Sequence, residues 1–131
     1  MKKLFISCPM RGRSDEDIKK TREKMHKVAE ILFDEELEVI NSYFEDAPNG
    51  ENHALWYLGA AIQLMSGADY VIGVSNACGY NGCEIEKDIA RRYKIPYTLV
   101  DVCEVAPDCA EKIAKAVDGV FGLGLSGFGG R

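Results

Sequence analysis

The chain has 131 residues, with 21 acidic against 16 basic side chains and a net charge of −5 at pH 7. A single domain of this length buries about two-thirds of its unfolded surface and folds without metal or disulfide support. The acidic balance argues against binding a nucleic-acid polymer or an anionic membrane, since both require clustered Lys and Arg. The longest unbroken apolar stretch, Ala54 to Ile62, is too short to cross a bilayer, and the apolar run behind Met1-Lys2-Lys3 stops at Ser7, too early for a signal peptide. Cysteines at 8, 78, 83, 103 and 109 are odd in number and lack a secretion signal, so they read as reduced thiols of a cytoplasmic protein. The spacings Cys78-x4-Cys83 and Cys103-x5-Cys109 are too wide for a zinc knuckle, and no metal site is expected.

Lys3 to Cys8 reads as a first strand built on Leu4-Phe5-Ile6, followed by a turn through Pro9-Met10-Arg11-Gly12-Arg13. Ser14 then caps a helix, with Asp17 at the capping-box position. Ile18, Met25, Val28, Ala29, Leu32 and Phe33 recur at helical spacing, and the helix stops near Asp34-Glu35-Glu36. Leu37 to Ile40 is a second strand. A polar loop from Asn41 to Asn52 carries Tyr43, Phe44 and the turn signal Pro48-Asn49-Gly50. His53 to Gly67 is helical, and Asp69 to Val74 is a third strand whose continuous apolar run suits a central parallel position. Gly82 to Lys94 is a third helix, stopped by Pro96. Tyr97 to Val100 is a fourth strand, and Pro107 to about Val117 a last short helix. Residues 119–131 form a glycine-rich tail beyond a single domain of residues 1–118. Strands alternating with helices predict an α/β, three-layer flavodoxin- or Rossmann-like sandwich on a parallel sheet of four or five strands.

In such sheets ligands bind beyond the carboxyl ends of the strands, where strand order reverses. That rule singles out the loops at 7–13 and 75–86. The first offers Arg11 and Arg13, with Gly12 letting backbone approach a ligand and the next helix adding a positive field, a setting for phosphate. The alternative is that Arg11 pairs with carboxylates on an acidic surface. The second loop holds Gly79-Tyr80-Asn81-Gly82 ahead of Glu84 and Glu86, and the small Ala90 lies on the Glu86 face. A carboxylate in a first helical turn is held ionised and can act as nucleophile or stabilise an oxocarbenium ion, or else simply complement the helix dipole. Other patterns fail. Gly122-x-Gly124-x-x-Gly127 has no helix after it, and Cys8 and Arg13 are one residue too close for a phosphatase loop. His26 and His53 have no nucleophile beside them in sequence, and Trp56-Tyr57 reads as packing.

Together the two loops resemble the nucleoside 2-deoxyribosyltransferase superfamily, nearest its small members of unassigned function and more distantly the 2′-deoxynucleoside 5′-phosphate N-hydrolases. The likeness covers residues 3 to about 101. It rests on Phe5-Ile6-Ser7-Cys8-Pro9-Met10-Arg11-Gly12, on Ala68-Asp69-Tyr70-Val71-Ile72, and on Gly82-Cys83-Glu84-Ile85-Glu86-x-x-x-Ala90 ending in Ile95-Pro96. Gly82, Ala90 and Pro96 hold the family's offsets from its glutamate. The resemblance implies cleavage of an N-glycosidic bond, or deoxyribosyl transfer, on a nucleoside or nucleotide. Glu86 takes the part of nucleophile or charge stabiliser and Arg11 that of phosphate ligand. The expected substrate-binding set is Phe5, Ser7, Cys8, Pro9, Met10, Arg11, Gly12, Tyr43, Tyr80, Asn81 and Gly82, with Tyr43 or Phe44 stacking on the base. No metal or organic cofactor is expected, and the resemblance implies a homodimer or larger homo-oligomer in which a neighbour completes the pocket.

The chain departs from the family at three places. The second-helix aspartate, eight residues before Asp69, is Ala61; the serine or aspartate six residues before the glutamate is Tyr80; the first-strand tyrosine is Phe5. Asp46, Glu45 and His53 are candidate replacement acids. A nucleotide-binding or sensor module without turnover is therefore the alternative expectation.

Overall fold

The alternation of apolar residues along the first strand divides the molecule into two cores. In a computed structural model, which describes residues 1–42, 48, 50, 52–75 and 80–108, β1 (Lys2–Ile6), β2 (Leu37–Val39), β3 (Tyr70–Ser75) and β4 (Tyr97–Asp101) form one parallel sheet in the order β2-β1-β3-β4. Leu4 pairs with Val39 on one side and Tyr70 on the other, and Phe5 and Ile6 pair with Val71 and Ile72. Successive strand side chains point to opposite faces. Leu4, Ile6, Ile72 and Val74 accordingly enter a core with Ile18, Met25 and Ala29 of helix α1 (Asp15–Phe33) and with Val102 and Val105 of α4 (Val102–Val105). Phe5 and Val71 face the other way, against Ala61 and Met65 of α2 (His53–Met65) and Ala90 of α3 (Asn81–Arg92). The fold is α/β and Rossmann-like.

Element boundaries follow local chemistry. The Ser14 hydroxyl accepts the Asp17 N–H at 3.1 Å, and three acidic residues follow in the first turn of α1, where the helix field favours them. Asp34 ends α1 in a left-handed conformation, φ 55°, with its N–H on the carbonyls of Glu30 and Ile31. The structure differs from the sequence reading at two ends. A short helix forms at Val102–Val105, immediately after β4, because Asp101 caps it by accepting the Cys103 N–H at 2.8 Å. α3 starts at Asn81, so Glu86 is its sixth residue rather than a first-turn one. Pro107 and Asp108 are helical; the remainder of the expected last helix, Cys109 and the glycine-rich tail lie outside the described residues.

With β1 central and its neighbours β2 and β3 reached by crossovers in opposite directions, the order reverses between β1 and β3. The segment leaving β1 and the start of α3 are thereby brought to the same edge of the sheet.

Candidate functional site

Ser7 continues the line of β1: its N–H donates to the Ile72 carbonyl at 2.8 Å. By strand parity its side chain lies on the α2/α3 face, and there its hydroxyl donates to Glu86 Oε1 at 2.8 Å. Both residues are 1% exposed. A buried carboxylate is costly without partners, and the Ser7 hydroxyl is one partner of Glu86. Arg22 of α1 is close enough for the Glu86 charge to favour its ionised form. Burial pushes the Arg22 guanidinium down from its ordinary value, opposed by the Cys8 and Glu86 charges. Arg22 Nη1 donates to Ser42 Oγ at 3.0 Å and, at longer range, Arg22 reaches the Ile6 and Ile40 carbonyls. The field of the α3 N-terminus fades beyond the first turn, so it adds little at Glu86, the sixth residue of the helix.

Pro9 to Arg13 turns the chain from β1 into α1. The Arg13 N–H donates to the Met10 carbonyl at 3.1 Å, and Gly12 occupies the third turn position at φ 75°, where a side chain would be strained. Arg11 is thus left exposed at the corner. Arg13 has another task. Its side chain is 1% exposed and donates to both oxygens of Asp108 at 2.9 and 3.1 Å, to the Pro9 carbonyl at 2.8 Å and to Thr21 Oγ1 at 2.7 Å, with Cys8 Sγ 3.9 Å away. It clamps the loop to α1 and to Asp108.

These elements enclose a cavity of about 480 Å³, within the usual range of small-molecule sites. Glu86 and Arg11 both line it, together with Phe5, Cys8, Met10 and Arg13. Asp15, Ile18 and Ser42 add to the wall, and Ala54, Tyr57 and Ala61 contribute a face of α2. Of the residues expected to contact a substrate, Ser7 reaches this cavity through its bond to Glu86, and Pro9 and Gly12 shape the loop at its rim. Three expected residues lie elsewhere. Tyr80 is buried in the core cluster on the α1 side of the sheet, which also holds Cys83 and Val100. Asn81 and Gly82 line a second groove of about 280 Å³ with Asn52, Leu55, Leu58 and Ile85, and Ala54 borders both that groove and the first cavity. His53 lines neither space. Tyr43, Phe44, Glu45 and Asp46 lie outside the described residues.

Two residues of the cavity, and a partly buried arginine of α1 outside its lining, escaped the sequence reading. Arg22 sits amid other charged residues of α1 and has no distinguishing local pattern. Asp15 looked only like a first-turn helix acid. Tyr57, read as packing, lies on the cavity wall; its spacing from Ala61, one helical turn, was the available signal. Among the described residues no cluster of three His, Cys, Asp or Glu side chains is placed to hold a metal ion, and no helix is long and apolar enough to cross a membrane. A scan against protein-family models, a search of curated proteins and a search of solved structures each returned no match.

Proposed function

We propose that this protein cleaves the N-glycosidic bond of a nucleoside 5′-phosphate, with Glu86 as nucleophile, in the manner of the nucleoside 2-deoxyribosyltransferase superfamily it resembles. The observation that supports this reading is the sharing of one cavity by a buried carboxylate, Glu86, and an exposed loop guanidinium, Arg11. A sugar phosphate presents a carbon that becomes cationic at one end and a dianion at the other, and the pair matches those two charges. Glu86 attacks the anomeric carbon; the C–N bond breaks and its electron pair leaves with the base, which takes a proton from water. A second water then hydrolyses the glycosyl ester, releasing sugar phosphate and restoring the carboxylate; an acceptor base in place of that water makes the reaction a transfer. No metal or organic cofactor enters these steps. Arg11 grips the phosphate and Ser7 holds one carboxylate oxygen of Glu86.

A second reading is favoured by one position. Ala61 puts a methyl group in the cavity wall where the resembled enzymes carry an acid. A general acid is worth about a hundredfold or more in rate, so a nucleotide-binding module with little turnover fits the same cavity. Incubation with a panel of nucleoside 5′-monophosphates, scored for free base, separates the two. Base release that disappears in Glu86→Gln supports the enzyme; thermal stabilisation by nucleotide without release, lost in Arg11→Ala, supports the binding module. Neither release nor stabilisation across the panel overturns both.

A further inference from the structure

The α2 wall of the cavity has a composition unlike the rest. Ala54, Tyr57 and Ala61 line it at spacings of three and four residues, which stack them along one side of the helix. The small Ala54 and Ala61 stand about one helical turn to either side of Tyr57. The ring is held in place: Trp56 meets Tyr57 edge-on, with centroids 5.2 Å apart and planes at 86°, a favoured geometry for aromatic pairs. Phe5, 1% exposed, lines the same cavity and belongs to the same apolar cluster as Ala61. The charged side chains of the wall come instead from the β1–α1 segment, the start of α1 and α3: Arg11, Arg13, Asp15 and Glu86. The cavity is therefore polarised, with an ionic wall and an aromatic one.

We infer that Tyr57, flanked by Ala54 and Ala61, is the subsite for the planar heteroaromatic ring of the substrate. The inference rests on the nucleotide reading above and adds to it the residue that selects the leaving group. On this inference a flat ring lies on the phenol beside two small side chains, and a larger side chain at either alanine crowds it. Stacking on a π-face is tolerant of base identity, so this wall admits purines and pyrimidines alike and discriminates against a sugar phosphate that carries no ring.

Calorimetric titration of the full chain carrying Glu86→Gln, which keeps the glycosidic bond intact, tests the assignment. The ligands are 2′-deoxyadenosine 5′-monophosphate, thymidine 5′-monophosphate and 2-deoxyribose 5-phosphate. Adding Tyr57→Ala is expected to weaken both nucleotides by roughly ten- to a hundredfold while leaving the sugar phosphate within about twofold. Tyr57→Phe keeps the stacking surface and both nucleotide affinities. Ala54→Leu, at an exposed helical position, weakens the nucleotides selectively and serves as the independent test should Tyr57→Ala fail to fold. Equal weakening of all three ligands, or no weakening of the nucleotides, overturns the subsite and leaves the nucleotide reading standing. Binding of none of the three by the Glu86→Gln parent overturns that reading and the subsite with it.

Discussion

Ser7 Oγ donates its proton to Glu86 Oε1 across 79 residues of sequence, joining the end of the first strand to the second turn of the third helix. The contact orients the carboxylate, because an occupied oxygen fixes the plane of the group. Ser7→Ala removes a hydrogen bond to a charged group, of the kind worth about 1.5–3 kcal/mol. Turnover of a nucleoside monophosphate is then expected to fall roughly ten- to a hundredfold, with nucleotide affinity nearly unchanged. Steady-state kinetics beside calorimetric binding read the two effects apart. A variant with unaltered turnover removes Ser7 from the reaction.

Arg13 carries a stability prediction, although it lines the same cavity as Arg11. Its guanidinium is enclosed and forked onto Asp108, while also holding the Pro9 carbonyl and Thr21. Arg13→Ala strands a carbonyl, a hydroxyl and a carboxylate, and truncating one partner of a buried pair costs about 3–5 kcal/mol. Since the Asp108 side chain is 39% exposed, the lower end of that range applies, and a drop in Tm of roughly 10 °C is expected. Arg13→Lys recovers little of it, because an ammonium cannot fork onto a carboxylate. Circular dichroism melting curves of both variants measure the loss.

Asp88 makes a pH-dependent contribution on the outer face of α3. Hydrogen bonds from Arg91 and then Arg92 hold its carboxyl below the ordinary value of 3.8. A depressed carboxyl stabilises the fold above the unfolded value, and that contribution is lost as pH falls through the folded one. The Tm difference between the wild type and Asp88→Asn should thus be constant at neutral pH and shrink as pH falls below 3.8. About 1 M salt should also shrink it at neutral pH, since the cluster is exposed and screened. A gap that persists in acid would mean that Asp88 contributes through something other than its charge.

What could be read from the chain in advance were features set by neighbours in sequence. Leu4 and Ile6 alternate with Phe5, and that parity alone divides the two cores; Ser14 and Asp17 mark the start of α1; the unbroken apolar run of β3 places it inside the sheet. That the segment after β1 and the start of α3 meet at one edge of the sheet followed from the strand order. The division of labour between Arg11 and Arg13 did not, because Asp108, the residue that engages Arg13, is 95 positions away. Tyr80 was misplaced for a related reason. A residue beside a glycine resembles a ligand contact, and only packing with residues far away in sequence, Val100 and Val102 among them, puts Tyr80 in the core. Arg22 was illegible in a helix rich in Lys and Glu, where one partly buried cation looks like any solvated one.

Arg22 is nonetheless the residue through which pH should act on turnover. Its charge and that of Glu86 favour each other's ionised forms, and burial makes the coupling matter more than it would in water. Replacing Arg22 with Met removes the cation, so Glu86 binds a proton more readily and the acid limb of the pH–rate profile moves to higher pH. Arg22→Lys keeps a positive charge and should leave the limb near its wild-type position, even though its single ammonium cannot reproduce the contacts to Ser42, Ile6 and Ile40. Both variants lose those hydrogen bonds and melt lower, by about 1–3 kcal/mol of stability. Stability alone therefore cannot separate them, and the pH profile can. If the acid limbs of the Met and Lys variants coincide, Arg22 acts by holding backbone rather than by its charge on Glu86.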